Sequence, residues 1–168
     1  MSGHSKWSQI KHKKALSDGK RGQLFSKLSR LITLAAKRGI NPETNLELKN
    51  AVENARSFNM PNDSIQRALK RVSDKSAAQL EELTIEAIGP GNTAIRVEAV
   101  TDNRNRTIAE IKKILSENNS KMVPPGSISW MFSQSASIKD PEINSQIYKL
   151  LETLDGHDDI NDVISNLS

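Results

Sequence analysis

The spacing of apolar residues divides the chain into a helical first part and a mixed second part. Apolar side chains recur every three or four positions in residues 20–38, in residues 45–58 and again after Pro61. This period predicts three amphipathic helices. Gly39 suits the end of the first helix, and Pro61 suits the first turn of the third. Residues 20–75 are therefore predicted to form one three-helix domain.

The second part, residues 76–168, alternates between strand-like and helix-like patterns. A small, polar stretch at residues 73–80 is typical of a domain boundary. Thr107 and Glu110 have the spacing of a capping box for the first helix of this part, although Asn105 could cap it instead. The order β-β-α-β-α-β is predicted, with strands at residues 83–88, 93–101, 127–132 and 160–164 and the second helix opening at Asp140. The fold class is α+β, with helices on one face of an antiparallel or mixed sheet.

Residues 1–19 precede these elements, show little apolar period and are predicted to form a flexible basic arm. Charge is concentrated at this end of the chain. Residues 1–75 hold 16 Lys and Arg against 6 Asp and Glu, whereas residues 76–168 hold 8 against 14. A basic segment joined to an acidic one indicates a polyanionic partner for the first segment. The alternative is a solvated basic tail.

Composition excludes several classes of chemistry. The 168 residues include no cysteine, which removes disulfides, thiolate zinc sites and cysteine nucleophiles. No phosphate-binding loop or nucleophile elbow is present, and His157 with its two neighbouring aspartates is a poor metal set because adjacent loop residues rarely converge on one ion. No apolar run reaches the length of a membrane span or of a secretory signal. We therefore expect a soluble cytoplasmic protein that is not an enzyme and carries no metal or cofactor.

Two groups of residues are candidates for nucleic-acid binding. The first places Trp7 among cations, where its ring could stack on a base while the cations neutralise phosphates; alternatively, Trp7 packs back on the helices as an anchor. This group continues into the first helix, whose Lys27 and Arg30 lie on a basic arc. Its members are Lys6, Trp7, Lys11, His12, Lys13, Lys14, Lys20, Arg21, Lys27 and Arg30.

The second group is the segment from Thr101 to Thr107, between a predicted strand and a helix. Arg104 and Arg106 lie near the start of the helix, where the macrodipole disfavours cations. An anion held between the two guanidinium groups would resolve this conflict. The alternative is that Asp102 pairs with one arginine and fixes the loop.

At these residues the chain resembles the YebC/PmpR family. The resemblance spans nearly the whole sequence, and family members have a basic three-helix domain followed by α+β domains. The segments that resemble the family are Gly3-His4-Ser5-Lys6-Trp7, Ile10-Lys11-His12-Lys13-Lys14, Lys20-Arg21-Gly22, Asn59-Met60-Pro61, Gly89-Pro90-Gly91, Thr101-Asp102-Asn103-Arg104-Asn105-Arg106-Thr107, Gly126-Ser127-Ile128-Ser129-Trp130-Met131-Phe132 and the ending at residues 151–166.

The chain also departs from the family pattern. Family members usually insert a third domain after the strand expected here near Phe132, whereas residues 133–139 run almost directly into the next helix. Ala87 and the stretch Asn118-Asn119-Ser120 stand where the family tends to carry glycines. The sequence therefore resembles a short form without the inserted domain.

The resemblance implies a nucleic-acid-binding regulator of gene expression. The first hypothesis is a ribosome-associated translation factor that binds ribosomal RNA and helps synthesis through proline-rich stretches, because a Lys-rich arm with one Trp suits irregular RNA. The alternative is a transcriptional regulator that inserts its most basic helix into DNA, with Arg30 and Arg38 as base readers. A third hypothesis is an adaptor whose acidic half binds another protein. No membrane partner is expected.

Overall fold

The computed structural model describes residues 17–168, and its helices and strands follow the predicted order. The helices are α1 (Asp18–Ala36), α2 (Leu46–Ser57), α3 (Asn62–Lys70), α4 (Arg104–Glu117) and α5 (Pro141–Asp155). The strands are β1 (Glu81–Gly89), β2 (Thr93–Thr101), β3 (Lys121–Val123) and β4 (Ile160–Ser165). Helices and an antiparallel sheet together confirm the α+β class.

The described residues form two compact units. The helical unit contains residues 17–81 and 100–103, and the sheet unit contains residues 82–99 and 104–168. Each unit has a hydrophobic core of its own.

Side chains at the helix ends explain where the helices of the helical unit begin. α1 starts two residues before the predicted position because the Ser17 hydroxyl accepts a hydrogen bond from the backbone N–H of Lys20 at 3.3 Å. Asn45 caps α2 by accepting from the N–H of Leu48. The Asn45 amide also donates to the carbonyls of Ala35 and Gly39, each at 2.8 Å. One buried side chain thus joins the end of α1 to the start of α2.

The core of the helical unit is small, and most of its side chains are alanine, leucine, isoleucine or valine. The Thr33 hydroxyl donates to the Ala68 carbonyl at 2.9 Å and so joins α1 to α3. Small alanines let the three helices approach closely, which suits a chain of low apolar content. The buried members are Leu28, Ile32, Ala35, Ala36, Leu48, Val52, Ala55, Met60, Ile65 and Ala68.

The sheet unit is a four-stranded sheet in the order β3-β1-β2-β4. β1 pairs antiparallel with β3, placing Ala87 opposite Met122, and β2 pairs antiparallel with β4, placing Val97 opposite Val163. Alternate residues of β1 and β2 pack beneath α4 and α5, which bury Ile111, Leu115, Ile147, Leu150, Leu151 and Leu154 in the same core.

The prediction of a strand at residues 127–132 is wrong. The third strand is β3, and residues Ser129–Ser133 form a short 3-10 helix. β3 ends at Val123 because Pro124 and Pro125 lack the N–H that a sheet ladder requires, and Gly126 then turns the chain with a φ of +86°. Ile128 and Met131, three residues apart, pack on the outer face of the sheet beside Ala94.

The capping prediction for α4 is also wrong. α4 begins at Arg104, so both Asn105 and Thr107 lie inside the helix instead of preceding it. The Thr107 hydroxyl donates to the Asp159 carboxylate at 2.8 Å. The Thr107 side chain therefore serves a tertiary contact.

Candidate nucleic-acid interface

Part of the predicted nucleic-acid site lies outside the described residues. This applies to Lys6, Trp7, Lys11, His12, Lys13 and Lys14. Their predicted role in binding stays a prediction.

The remaining cations of the first group lie along α1 in two different environments. Lys20 and Arg21 are exposed in the first turn, with the Arg21 guanidinium 3.9 Å from the Asp18 carboxylate. Lys27 is only 6% exposed, and Arg30 donates to the Val100 carbonyl at 3.4 Å within the helical unit. The cations at the start of α1 are therefore accessible to a ligand. Further along the helix, Lys27 is buried and Arg30 contacts the protein backbone.

The second group separates into one exposed arginine and one that is paired within the fold. Arg104 is exposed at the first position of α4. The Arg106 guanidinium donates to the Asp159 carboxylate at 2.9 Å, and the Asp159 side chain is only 4% exposed. The sequence suggests Asp102 as a partner for one of the two arginines; the structure adds a contact of Arg106 with Asp159, 53 residues further along the chain.

Glu110 and His157 extend this network on the sheet unit. The His157 Nε2 lies 2.6 Å from a Glu110 oxygen, and its Nδ1 accepts from the N–H of Asp159 at 3.1 Å. Arg106 Nε is 4.0 Å from the other Glu110 oxygen. Because Nδ1 accepts a hydrogen bond, the proton of a neutral His157 ring lies on Nε2. The Nε2–H then donates a hydrogen bond to the Glu110 carboxylate.

Glu110, His157 and Asp159 are also residue types that bind metals, and their ligand atoms all lie within 4.8 Å of one another. Two contacts disfavour a metal ion there. The Arg106 guanidinium already occupies the Asp159 carboxylate, and a metal on Nε2 would move the ring proton to Nδ1, where it would face the backbone N–H of Asp159. The arrangement suits a hydrogen-bonded brace better than a metal site.

A second buried carboxylate braces the outer face of the sheet. Glu86 is 3% exposed; one of its oxygens accepts from Arg96 Nε and Nη2, each at 3.2 Å, and the other accepts from the Gly126 N–H at 2.9 Å. The Arg96 guanidinium lies 4.4 Å from the ring centroid of Phe132. The sequence pattern does not reveal this brace, because Gly126 lies 40 residues after Glu86 and the contact depends on how the chain folds back.

The same sheet face also carries a pair of acids. Glu98 on β2 stands opposite Asp162 on β4. Desolvation by neighbouring groups raises the pKa of Glu98, and repulsion from Asp162 and Glu82 raises it further, while Arg96 lowers it. Much of the Glu98 residue is nevertheless exposed.

Within residues 17–168, the helices are all too short or too polar to cross a bilayer.

Comparison with known proteins matches the chain to two family models. Residues 5–75 match the TACO1/YebC protein N-terminal domain, and residues 80–143 match the TACO1/YebC second and third domain. The chain belongs to the TACO1/YebC family. The predicted family resemblance is therefore confirmed.

Curated relatives in this family are longer than the chain. A probable transcriptional regulatory protein of Halothermothrix orenii is 50% identical over 134 residues, which cover 79% of this chain and 53% of the relative. Another protein described as a probable transcriptional regulatory protein, from Chlorobium phaeobacteroides, is 46% identical over 156 residues, covering 92% of this chain and 62% of the relative. The chain thus spans between half and two thirds of the length of these relatives.

The fold of this TACO1/YebC family member has a solved counterpart. The crystal structure of a conserved hypothetical protein, Aq1575 from Aquifex aeolicus, superposes with a TM-score of 0.84 at 28% sequence identity. The alignment covers 98% of this chain and 97% of the other. The similarity supports the described arrangement of helices and strands.

Proposed function

We propose that this chain regulates gene expression as a ribosome-associated factor that binds ribosomal RNA in the cytoplasm. It acts by binding and not by catalysis, and it helps synthesis through difficult, proline-rich stretches. The curated relatives named as probable transcriptional regulatory proteins support the broader part of this proposal, a role in gene regulation. The choice of RNA over DNA is supported by the accessibility of the cations along α1.

α1 was the sequence-based candidate for insertion into the DNA major groove. A recognition helix needs a row of accessible side chains that can reach base edges. In α1, Lys27 is buried and Arg30 contacts a backbone carbonyl, so neither extends freely from the helix. Lys20 and Arg21 remain accessible in the first turn, where they suit phosphates of an irregular strand. This observation carries the preference for RNA.

The second candidate function is DNA-binding transcriptional regulation. It is favoured by the names of the curated relatives, which describe transcriptional regulators. Both functions need a basic surface that neutralises phosphates, so a fractionation experiment must separate them by the nucleic acid that retains the protein.

Sucrose-gradient sedimentation of a lysate containing the tagged full chain separates the two functions. One third is treated with RNase, one third with DNase and one third left untreated. We expect comigration with ribosomal particles that RNase abolishes and DNase spares. Retention in a fast-sedimenting fraction that only DNase releases would contradict the RNA proposal and support DNA binding. Ribosome profiling at runs of proline codons in cells lacking the protein would then test the finer role.

A further inference from the structure

The exposed side of α3 carries three cations that sequence reasoning did not assign. Arg67, Lys70 and Arg71 are all exposed and follow the spacing i, i+3, i+4, so they project from one side of the helix and its continuation. Ile65 and Ala68 occupy the opposite side and are buried in the helical core. The three cations are therefore on the solvent side of a helix that the core holds in place.

These three cations have no acidic partner within residues 17–168. The Arg67 guanidinium donates to the Ser64 hydroxyl at 3.0 Å, a neutral group one turn earlier. Two other exposed arginines of the helical unit do contact acids: Arg21 lies 3.9 Å from Asp18, and Arg38 contacts Glu47 at 3.0 Å. The described part of the chain thus leaves the positive charge on α3 without a neighbouring acid.

The neighbouring helix α2 provides a comparison. Its exposed charged residues alternate in sign: Glu47, Lys49, Glu53 and Arg56. Such a balanced surface is typical of a solvated helix. On α3 the corresponding surface carries Asp63 in the first turn and cations in the last turn and just beyond. The two helices belong to one unit and differ in net charge, which points to a ligand at α3.

Stabilisation of the helix dipole does not account for the α3 cations. Cations in a last turn favour a helix by about 0.3–1 kcal/mol. However, α4 and α5 end without a basic residue in the last turn, so helices of this chain form without that contribution. One cation would also suffice at the end of a nine-residue helix.

We propose that Arg67, Lys70 and Arg71 bind consecutive phosphates of the RNA backbone. The inference rests on the proposed RNA-binding function and adds a contact surface to it. Arg67 lies one turn before Lys70 and Arg71, with Cβ atoms about 5–6 Å from theirs, so the three cations can follow a strand that passes across the helix. Asp63 at the other end of α3 would repel phosphates, so the strand meets the last turn of α3. The contact is electrostatic and does not read sequence.

The test is a fluorescence-anisotropy titration of a labelled single-stranded RNA with the full chain, repeated over a series of salt concentrations. The α3 variant is Arg67→Gln, Lys70→Gln, Arg71→Gln. The matched control is Lys49→Gln, Arg56→Gln, Lys149→Gln, in which three exposed cations without acidic partners in the described chain are replaced. Both variants lower the formal net charge from +4 to +1. A duplex DNA of matched length is titrated in parallel.

Loss of three phosphate contacts should flatten the slope of log K against log salt by about 2 for single-stranded RNA. The control should keep the wild-type slope. Equal slopes for the α3 variant and the control, with RNA still bound by the wild type, would overturn the α3 assignment and leave the proposed function standing. A wild-type chain that binds no RNA would overturn both. Weakened DNA binding with unchanged RNA binding would overturn the assignment to RNA.

Thermal unfolding by circular dichroism accompanies every titration. If the triple variant unfolds at a lower temperature than the control, the three single variants replace it. Each should flatten the RNA slope by about 0.7. Single variants that fold like the wild type and keep its slope would overturn the proposal.

Discussion

The two units of this molecule use their charged residues in opposite ways. In the sheet unit, the carboxylates of Glu86 and Asp159 are buried, and each accepts hydrogen bonds from an arginine on another segment. In the helical unit, the cations of α3 lie in solvent without acidic partners among the described residues. Buried, paired charges specify the geometry of a fold, whereas exposed and uncompensated ones remain available to a ligand. The net charges of the two parts of the chain therefore do not show this difference between structural charges and charges available to a ligand.

The largest expected effect comes from breaking the Glu86 brace. Glu86→Ala removes the acceptor for Arg96 and for the Gly126 N–H, leaving donors that the fold still holds near the sheet. We expect the free energy of unfolding to fall by about 3 kcal/mol, measured by urea denaturation at neutral pH. RNA affinity of the folded variant should be unchanged.

Glu82→Ala is the matched control for this comparison. Glu82 lies on the same strand and the same face but is exposed, so its removal should alter stability by less than about 0.5 kcal/mol. Equal losses in the two variants would show that burial and pairing of Glu86 are not what stabilises the segment after β3.

A smaller effect is expected for the two arginines of α4, and it should distinguish them. Arg106→Ala leaves the buried Asp159 carboxylate without its guanidinium partner, and we expect a loss of about 1–3 kcal/mol in unfolding free energy. Arg104→Ala removes an exposed side chain and should change stability by less than about 0.5 kcal/mol. Thermal and urea unfolding of both single variants provide the measurement.

RNA titration of the same two variants sharpens the distinction. If Arg104 contributes to binding, Arg104→Ala should weaken RNA binding while its unfolding curve stays that of the wild type. A drop in stability for Arg104→Ala as large as that for Arg106→Ala would contradict the division between a ligand-facing and a structural arginine.

These two arginines also mark where sequence reasoning stops. Helical period located α1, α2 and α3 because an amphipathic helix repeats its buried side within a few residues. Asp159, which accepts a hydrogen bond from Arg106, is 53 positions away, and the packing of α4 beside the segment before β4 brings Asp159 to Arg106. Sequence spacing alone treats the two as equivalent.

The misplaced third strand has a different cause. Ile128 and Trp130 are two residues apart, and in a strand they would face the same side. In the structure Ile128 is buried and Trp130 is 61% exposed, while Met131, three residues after Ile128, is buried. The buried apolar residues are thus spaced three apart, as in a 3-10 helix, although the short segment also shows the alternation typical of a strand. β3, with three residues, is too short to produce a periodic signal.

The smallest expected effect concerns Glu98, an acid of the sheet unit whose pKa is raised by its surroundings. Desolvation and the repulsion from Asp162 make the charged form of Glu98 costly in the folded state. Above the folded-state pKa this cost is fully present. It declines as the pH falls through that pKa and is absent below the pKa of an unfolded glutamate, about 4.3.

Glu98→Gln should therefore raise the melting temperature slightly at neutral pH, and the gain should shrink as the pH falls toward the glutamate range. Differential scanning calorimetry across this pH series measures the change. Glu152→Gln is the control, because Glu152 is exposed on α5 and should leave the melting temperature unchanged throughout. A gain for Glu98→Gln that persists at acidic pH would contradict the electrostatic cause, since protonated Glu98 and glutamine would then carry the same charge.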